Sequence, residues 1–253
     1  MNIESSLAYL DQLSVPRART RRSITEPSMP EGLESPPANS NAGVIDSQLI
    51  AFTSNLDEKY KEAVKYSAQI AQRAADNKFD QLTQRLEWYA AYSKTLQHAG
   101  WIGSDNKLTE YKNSSLEITM EDVAIELIKL AAGPNAAIIA DLAGATINAL
   151  KNDGSTLAKL QASSSSGSSG AFDILPCLQN GDDVVMYNHA MVFEHSSTSG
   201  GFWFWSWKAS QVSLKHAANE WTFNYSHYQQ VEGKIKELLG ASSNDFFDGL
   251  DLS

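Results

Sequence analysis

This sequence has very little cysteine. There is one, Cys177, in 253 residues. A lone cysteine closes no internal disulfide, so nothing marks the chain for an oxidising compartment. Positive charge is also scarce. Twenty Lys and Arg stand against thirty Asp and Glu, a formal net charge of −10. A chain of that sign repels a polyphosphate backbone, which argues against nucleic acid as a partner. The same self-repulsion favours solubility. No apolar run is long and uncharged enough to read as a spanning helix. The opening Met1-Asn2-Ile3-Glu4 lacks the basic and apolar regions of a Sec signal peptide. The chain is therefore expected to be made in the cytoplasm and, if exported, to leave by another route.

Motifs are missing too. There is no Walker loop, dinucleotide fingerprint, HExxH or EF-hand loop. No G-x-S-x-G elbow precedes a helix. The commonest enzyme classes are thereby removed. No cofactor is implied, and no set of metal ligands appears at suggestive spacing.

What is present divides along the chain. Five of the seven prolines fall within the first 45 residues, among serine, glutamate and asparagine. Residues 1–45 read as a flexible arm, because that composition buries too little apolar surface to offset chain entropy. Residues 46–152 read as helical. A stripe of Leu49, Phe52, Leu56, Tyr60, Ala63, Ser67, Ile70 and Ala74 predicts a helix from Asp46 or Ser47. A second helix is expected from Asp80 to Gly100. A third starts at Thr119 with Asp122 completing a capping box, and Gly133-Pro134 leads into a fourth, ending near Lys151. Ser163 to Gly170 reads as a loop, so residues 153–170 form a linker. Residues 171–240 carry strands: Phe172 to Leu178, Val184 to His195, Phe202 to Leu214 and Glu220 to Tyr225 are rich in β-branched and aromatic residues. Ser226 with Gln229 predicts a last helix, and residues 241–253 form an acidic tail. The expected fold class is α+β, with a helical N-terminal and middle region packed on a C-terminal antiparallel meander and a terminal helix. The helical middle is expected on one sheet face and the last helix on the other.

Four features could carry chemistry. Cys177 is a candidate nucleophile if His189 or His195 serves as its base, and a candidate site of fatty acylation. Read blandly, it is a small buried hydrophobe. In Phe202-Trp-Phe-Trp-Ser-Trp207, period two puts Trp203, Trp205 and Trp207 on one face. That stripe either cements a doubly covered strand or meets a headgroup layer, a sugar or a protein. Ala131 to Ala149 forms an apolar, small-residue hairpin, a core element or a membrane-inserting one, with Asp141 arguing against simple spanning. Arg19-Thr20-Arg21-Arg22 offers a protease site before Ser23. Together these support a non-enzymatic, toxin-like effector acting on a membrane or host partner, activated by cleavage of the arm. The alternatives are a self-assembling structural protein, which would form homo-oligomers, and a Cys/His-dependent enzyme.

Overall fold

A computed structural model of the chain describes residues 2–15, 41–103, 108–111, 117–181, 183–195, 206–208, 212–240, 247–250 and 252. Helix α1 (Ile3–Asp11) is capped by Asn2, whose side chain accepts from the Ser5 N–H at 2.7 Å. Strands β1 (Ala42–Ile45) and β2 (Gln48–Phe52) form a hairpin. Helices α2 (Glu58–Asp76) and α3 (Arg85–His98) follow, then the short strands β3 (Trp101–Ile102), β4 (Thr109–Glu110) and β5 (Glu117–Thr119). Helix α4 (Met120–Ala131), a 3-10 turn Gly133–Asn135, α5 (Ala136–Asn152) and α6 (Gly154–Ser164) come next. The remaining elements are β6 (Ser165–Ser166), β7 (Ser169–Asn180), β8 (Asp183–His195), β9 (Ser206–Lys208), β10 (Val212–Phe223), α7 (Tyr225–Leu239) and β11 (Asp248–Leu250).

The fold class is α+β, as expected. Nine strands form one sheet whose main path runs β11-β1-β2-β7-β8-β10-β3, with β4 on β10 and β6 on β7. All its described pairings are antiparallel except β2 with β7. Strands β5 and β9 make a separate pair.

Alternation along the long strands sorts side chains into two cores. Leu175 and Cys177 of β7, Val184, Met186 and Ala190 of β8, and Ala217, Trp221 and Phe223 of β10 face α1, α2, α3 and α7. Phe172, Ile174 and Leu178, with Val185, Tyr187, Met191 and Phe193, and Leu214, face α4, α5 and α6. The molecule is thus helix, sheet, helix in section. This corrects the expected layering. The last helix shares a face with α2 and α3, and the helical middle is split between both faces.

Several local expectations are overturned as well. The arm is not structureless throughout: Ser6, Leu10 and Leu13 of its first segment are buried, and Ala42–Ile45 is a strand. The helix expected from Asp46 begins only at Glu58. Asp46 instead takes a left-handed turn, φ 49°, and sends β2 back along β1. Aspartate suits either role, since it caps helices and tolerates positive φ. The apolar stripe continued through β2 by coincidence of spacing.

The Ser/Gly segment is also ordered. Its serines end α6, where Ser163 and Ser165 donate to the carbonyls of Lys159 and Gln161 at 2.8 Å each, and Ser164 donates to that of Leu160. Hydroxyls satisfied by the preceding helical turn need no water. Gly170 pairs with Phe193, whose ring lies 2.0 Å from where a Cβ would sit, so only glycine fits there. Strand β10 runs unbroken from Val212 to Phe223, through the gap between the strands expected to end at Leu214 and to begin at Glu220. Asn224, not Ser226, caps α7, accepting from the His227 N–H at 3.0 Å. The acidic tail contributes β11, which pairs with β1.

Candidate functional site

Cys177 and His189 lie on adjacent strands, yet they cannot meet. Cys177 is opposite Met186 and His189 is opposite Ile174. Residues directly across a ladder share a face, and those two pairs belong to opposite cores. The sheet itself separates thiol from imidazole, and that dyad is excluded. Cys177 is fully buried, and burial pushes its thiol far above the usual range, so no thiolate forms at neutral pH. Its Sγ donates weakly to the Leu175 carbonyl at 3.5 Å.

His189 is 1% exposed, and neither ring nitrogen has a hydrogen-bond partner among the described residues. Desolvation, with a smaller contribution from His216, lowers its pKa to about 3. It is a neutral ring packed under the hairpin. The side chain of His195 lies outside the described residues, as do Trp203 and Trp205, and Arg22 with Ser23. Trp207 is described by its backbone alone, opposite Ile118 in the small β5–β9 pair. The described residues hold no cluster of three or more His, Cys, Asp or Glu placed to bind a metal ion.

The Ala131–Ala149 segment is the α4–α5 hairpin. Its inner side is core: Leu127 and Ile128 of α4 and Ile139, Ala143 and Ile147 of α5 are buried against the sheet. Alanine and glycine let the two helices approach closely. Asn135 at the corner donates to the Tyr187 hydroxyl at 3.0 Å. The outer tip is different. Leu130 is 75% exposed and Ile138 is 58% exposed, on either side of the Gly133–Asn135 turn. Asp141 lies on the exposed side of α5, so the charge expected to oppose insertion is simply solvated.

Three further groupings bring together residues from distant parts of the sequence. Arg85, the first residue of α3, donates from Nη2 to Asp173 Oδ1 at 2.6 Å, with both side chains buried. Gln48 reaches the other carboxylate oxygen at 3.4 Å. Desolvation raises the Asp173 pKa, and Arg85 and Gln48 oppose that rise. Beside this pair, Asn219 donates to the Tyr89 hydroxyl at 2.7 Å, and the guanidinium of Arg85 stacks 4.5 Å over Trp88. An aspartate inside Phe172-Asp-Ile-Leu175 is the sequence signal for this network, since a charge in a buried strand requires a partner. The second grouping docks α1. Ser6 Oγ sits 3.2 Å from His98 Nδ1 and 3.1 Å from His227 Nε2, and Tyr9 stacks on His98 at 4.0 Å. The third is an open cleft of roughly 410 Å3 at one end of the sheet, lined by Tyr60, Phe223, Tyr225 and Asp183 among others.

No family model and no curated protein matches the sequence. Among solved structures, the chain is similar to that of the Evf virulence factor, over 98% of this chain and 97% of that one, at 12% identity and a TM-score of 0.45. It is also similar to a delta-endotoxin, over 83% of this chain and 90% of that one, at 15% identity and a TM-score of 0.44. Likenesses this distant do not bear on what the chain does.

Proposed function

We propose that this protein is a non-enzymatic, toxin-like effector that engages a membrane surface through the corner of its α4–α5 hairpin. One observation carries the reading: two large aliphatic side chains, Leu130 and Ile138, stand in water at the tip of an otherwise packed apolar hairpin. Each contributes roughly 1.5–3 kcal/mol on full burial, enough together for a reversible foothold at an interface. Among the described residues no helix is long and apolar enough to cross a bilayer, so the contact is interfacial. Trp203 and Trp205 are further candidates for that contact.

Release by cleavage before Ser23 belongs to the same proposal, with one refinement. A cut there separates α1 from the chain but leaves it seated by Ser6, Leu10 and Leu13. Cleavage would loosen the arm while α1 stays docked. Export by a route without a Sec signal, and assembly of copies on the membrane, complete the reading.

The test is vesicle co-sedimentation of intact and trypsin-trimmed protein, with Leu130→Asp/Ile138→Asp as control. Wild-type protein should pellet with vesicles and the double variant should stay in solution. Wild-type protein left in the supernatant at every lipid composition, trimmed or not, ends the proposal.

A further inference from the structure

Two of the rings that line the cleft at the sheet end also hold a lysine ammonium. The walls of the cleft are Tyr60 from the start of α2, Phe223 from the end of β10 and Tyr225 from the start of α7. The Tyr60 and Tyr225 rings stand nearly at right angles, 81° apart, with centroids 5.0 Å apart. Into the corner they make comes the ammonium of Lys59, 4.7 Å from the Tyr60 centroid and 5.8 Å from that of Tyr225. Asp183, on the exposed start of β8, lines the same cleft.

Each of these facts selects for a cation. Ring faces carry negative quadrupole potential, and two of them within about 6 Å of one point attract the same charge. Asp183 adds a full negative charge and would repel an anion. At the start of α7 the Asn224 side chain already accepts from the His227 N–H, which leaves one donor fewer for an anion. Ile102, 63% exposed at the rim, suits a ligand with an apolar skin. A bare ammonium is strongly hydrated and loses much by entering such a corner. A methylated one is not, and it covers aromatic surface as well. The volume falls within the range of small-molecule sites, roughly 300–1,000 Å3.

We propose that this cleft is a binding site for a quaternary ammonium group, which displaces Lys59 from the Tyr60–Tyr225 corner. Lys59 is a tethered competitor. Its side chain is 53% exposed and its partner Asp57 lies 3.8 Å away, so it swings out at small cost. The inference is independent of the hairpin: it requires only that the group reach the cleft, from a free compound or from a choline-bearing lipid.

Ligand-observed NMR with tetramethylammonium and phosphocholine tests it on the full chain. Saturation should transfer to the N-methyl protons. Removing the competitor in Lys59→Ala should tighten binding, roughly threefold to tenfold. Asp183→Asn should weaken it by a similar factor, and Tyr225→Leu, which keeps apolar bulk without a ring, should weaken it more. Circular dichroism checks that each variant is folded, and Asp183→Asn, at an exposed position, remains informative if Tyr225→Leu is not. 3,3-Dimethylbutanol, the neutral isostere of choline, should bind markedly less well. Competition of phosphocholine with phosphatidylcholine vesicles, but not phosphatidylglycerol vesicles, assigns the group to a lipid; binding of the free compounds alone assigns it to a soluble ligand. The proposal is overturned if neither compound binds wild type or Lys59→Ala, or if the neutral isostere binds equally well. Binding unaffected by both Asp183→Asn and Tyr225→Leu has the same consequence. Loss of vesicle binding in the hairpin variant with phosphocholine binding intact would separate the two proposals.

Discussion

The two faces of the central sheet are held by different physics. On the α2–α3 face the contacts are specific: a buried Arg85–Asp173 ion pair, Gln48 beside it, an Asn219–Tyr89 hydrogen bond, and a bank of rings including Trp88, Tyr92 and Trp221. On the α4–α5 face they are mostly non-directional: aliphatic side chains with Phe172 and Phe193, a corner hydrogen bond from Asn135 and the imidazoles of His189 and His216. Apolar contacts are non-directional, so a helix held by them can shift or lift without breaking a defined bond. Directional contacts fix one geometry and are costly to half-break. The face that carries the proposed membrane tip is the one built to tolerate movement.

The largest blow to this contrast would come from the ion pair. Arg85→Ala should cost about 3–5 kcal/mol in urea denaturation, because it leaves Asp173 buried and unpaired. Arg85→Met/Asp173→Leu should recover most of the loss. A single variant as mild as a surface substitution would mean the specific face is not specific. Next is the α4–α5 face. Ile147→Ala should cost roughly 2–5 kcal/mol by leaving a cavity, and native-state hydrogen exchange should quicken in α4 and α5 before it does in α2 and α3. Uniform exchange across both layers would erase the distinction.

Acid sharpens the comparison further. His189 has its folded pKa lowered to about 3 by burial, and His98, also desolvated, is lowered to about 4. The unfolded chain binds these protons near pH 6.5 and the folded chain resists them. Stability therefore falls as pH drops below about 6.5, by up to about 1.4 kcal/mol per pH unit for His189. His189→Asn should flatten that slope in thermal melts between pH 4 and 6.5; an unchanged slope would assign the acid sensitivity elsewhere. The smallest effect is expected from Leu130→Asp/Ile138→Asp. Each change should alter stability by no more than about 0.5 kcal/mol, as for other exposed positions, while vesicle binding disappears.

Much of this molecule was readable before its structure. Thr119 caps α4 as expected, accepting from the Asp122 N–H at 3.1 Å, and Gly100 ends α3 with φ 100°. The long strands β7 and β8 follow from their β-branched and aromatic runs. The errors have particular causes. Asp46 marks a helix start or a left-handed turn equally well, and only the pairing of β2 with β1 and β7 decides. Serines 163–165 look like linker because hydrogen bonds back to a helix leave no trace in composition. Cys177 and His189 sit on neighbouring strands but on opposite faces, because the parity of the ladder separates them. Relative parity is fixed by register, and register is a tertiary fact. The tyrosine corner at the cleft combines α2 and α7, far apart in sequence, and no local pattern announces it.

The pairing of β1 with β11, and the seat of α1 against α7, have a consequence for how the chain is assembled. Helix α1 and strand β1 both take partners that lie far along the sequence. Until Asp248 has emerged, β1 has one neighbour instead of two; until Tyr225–Leu239 has coiled, α1 lacks half its berth. Such non-local closure makes folding slow and late, with an open strand edge available in the interval.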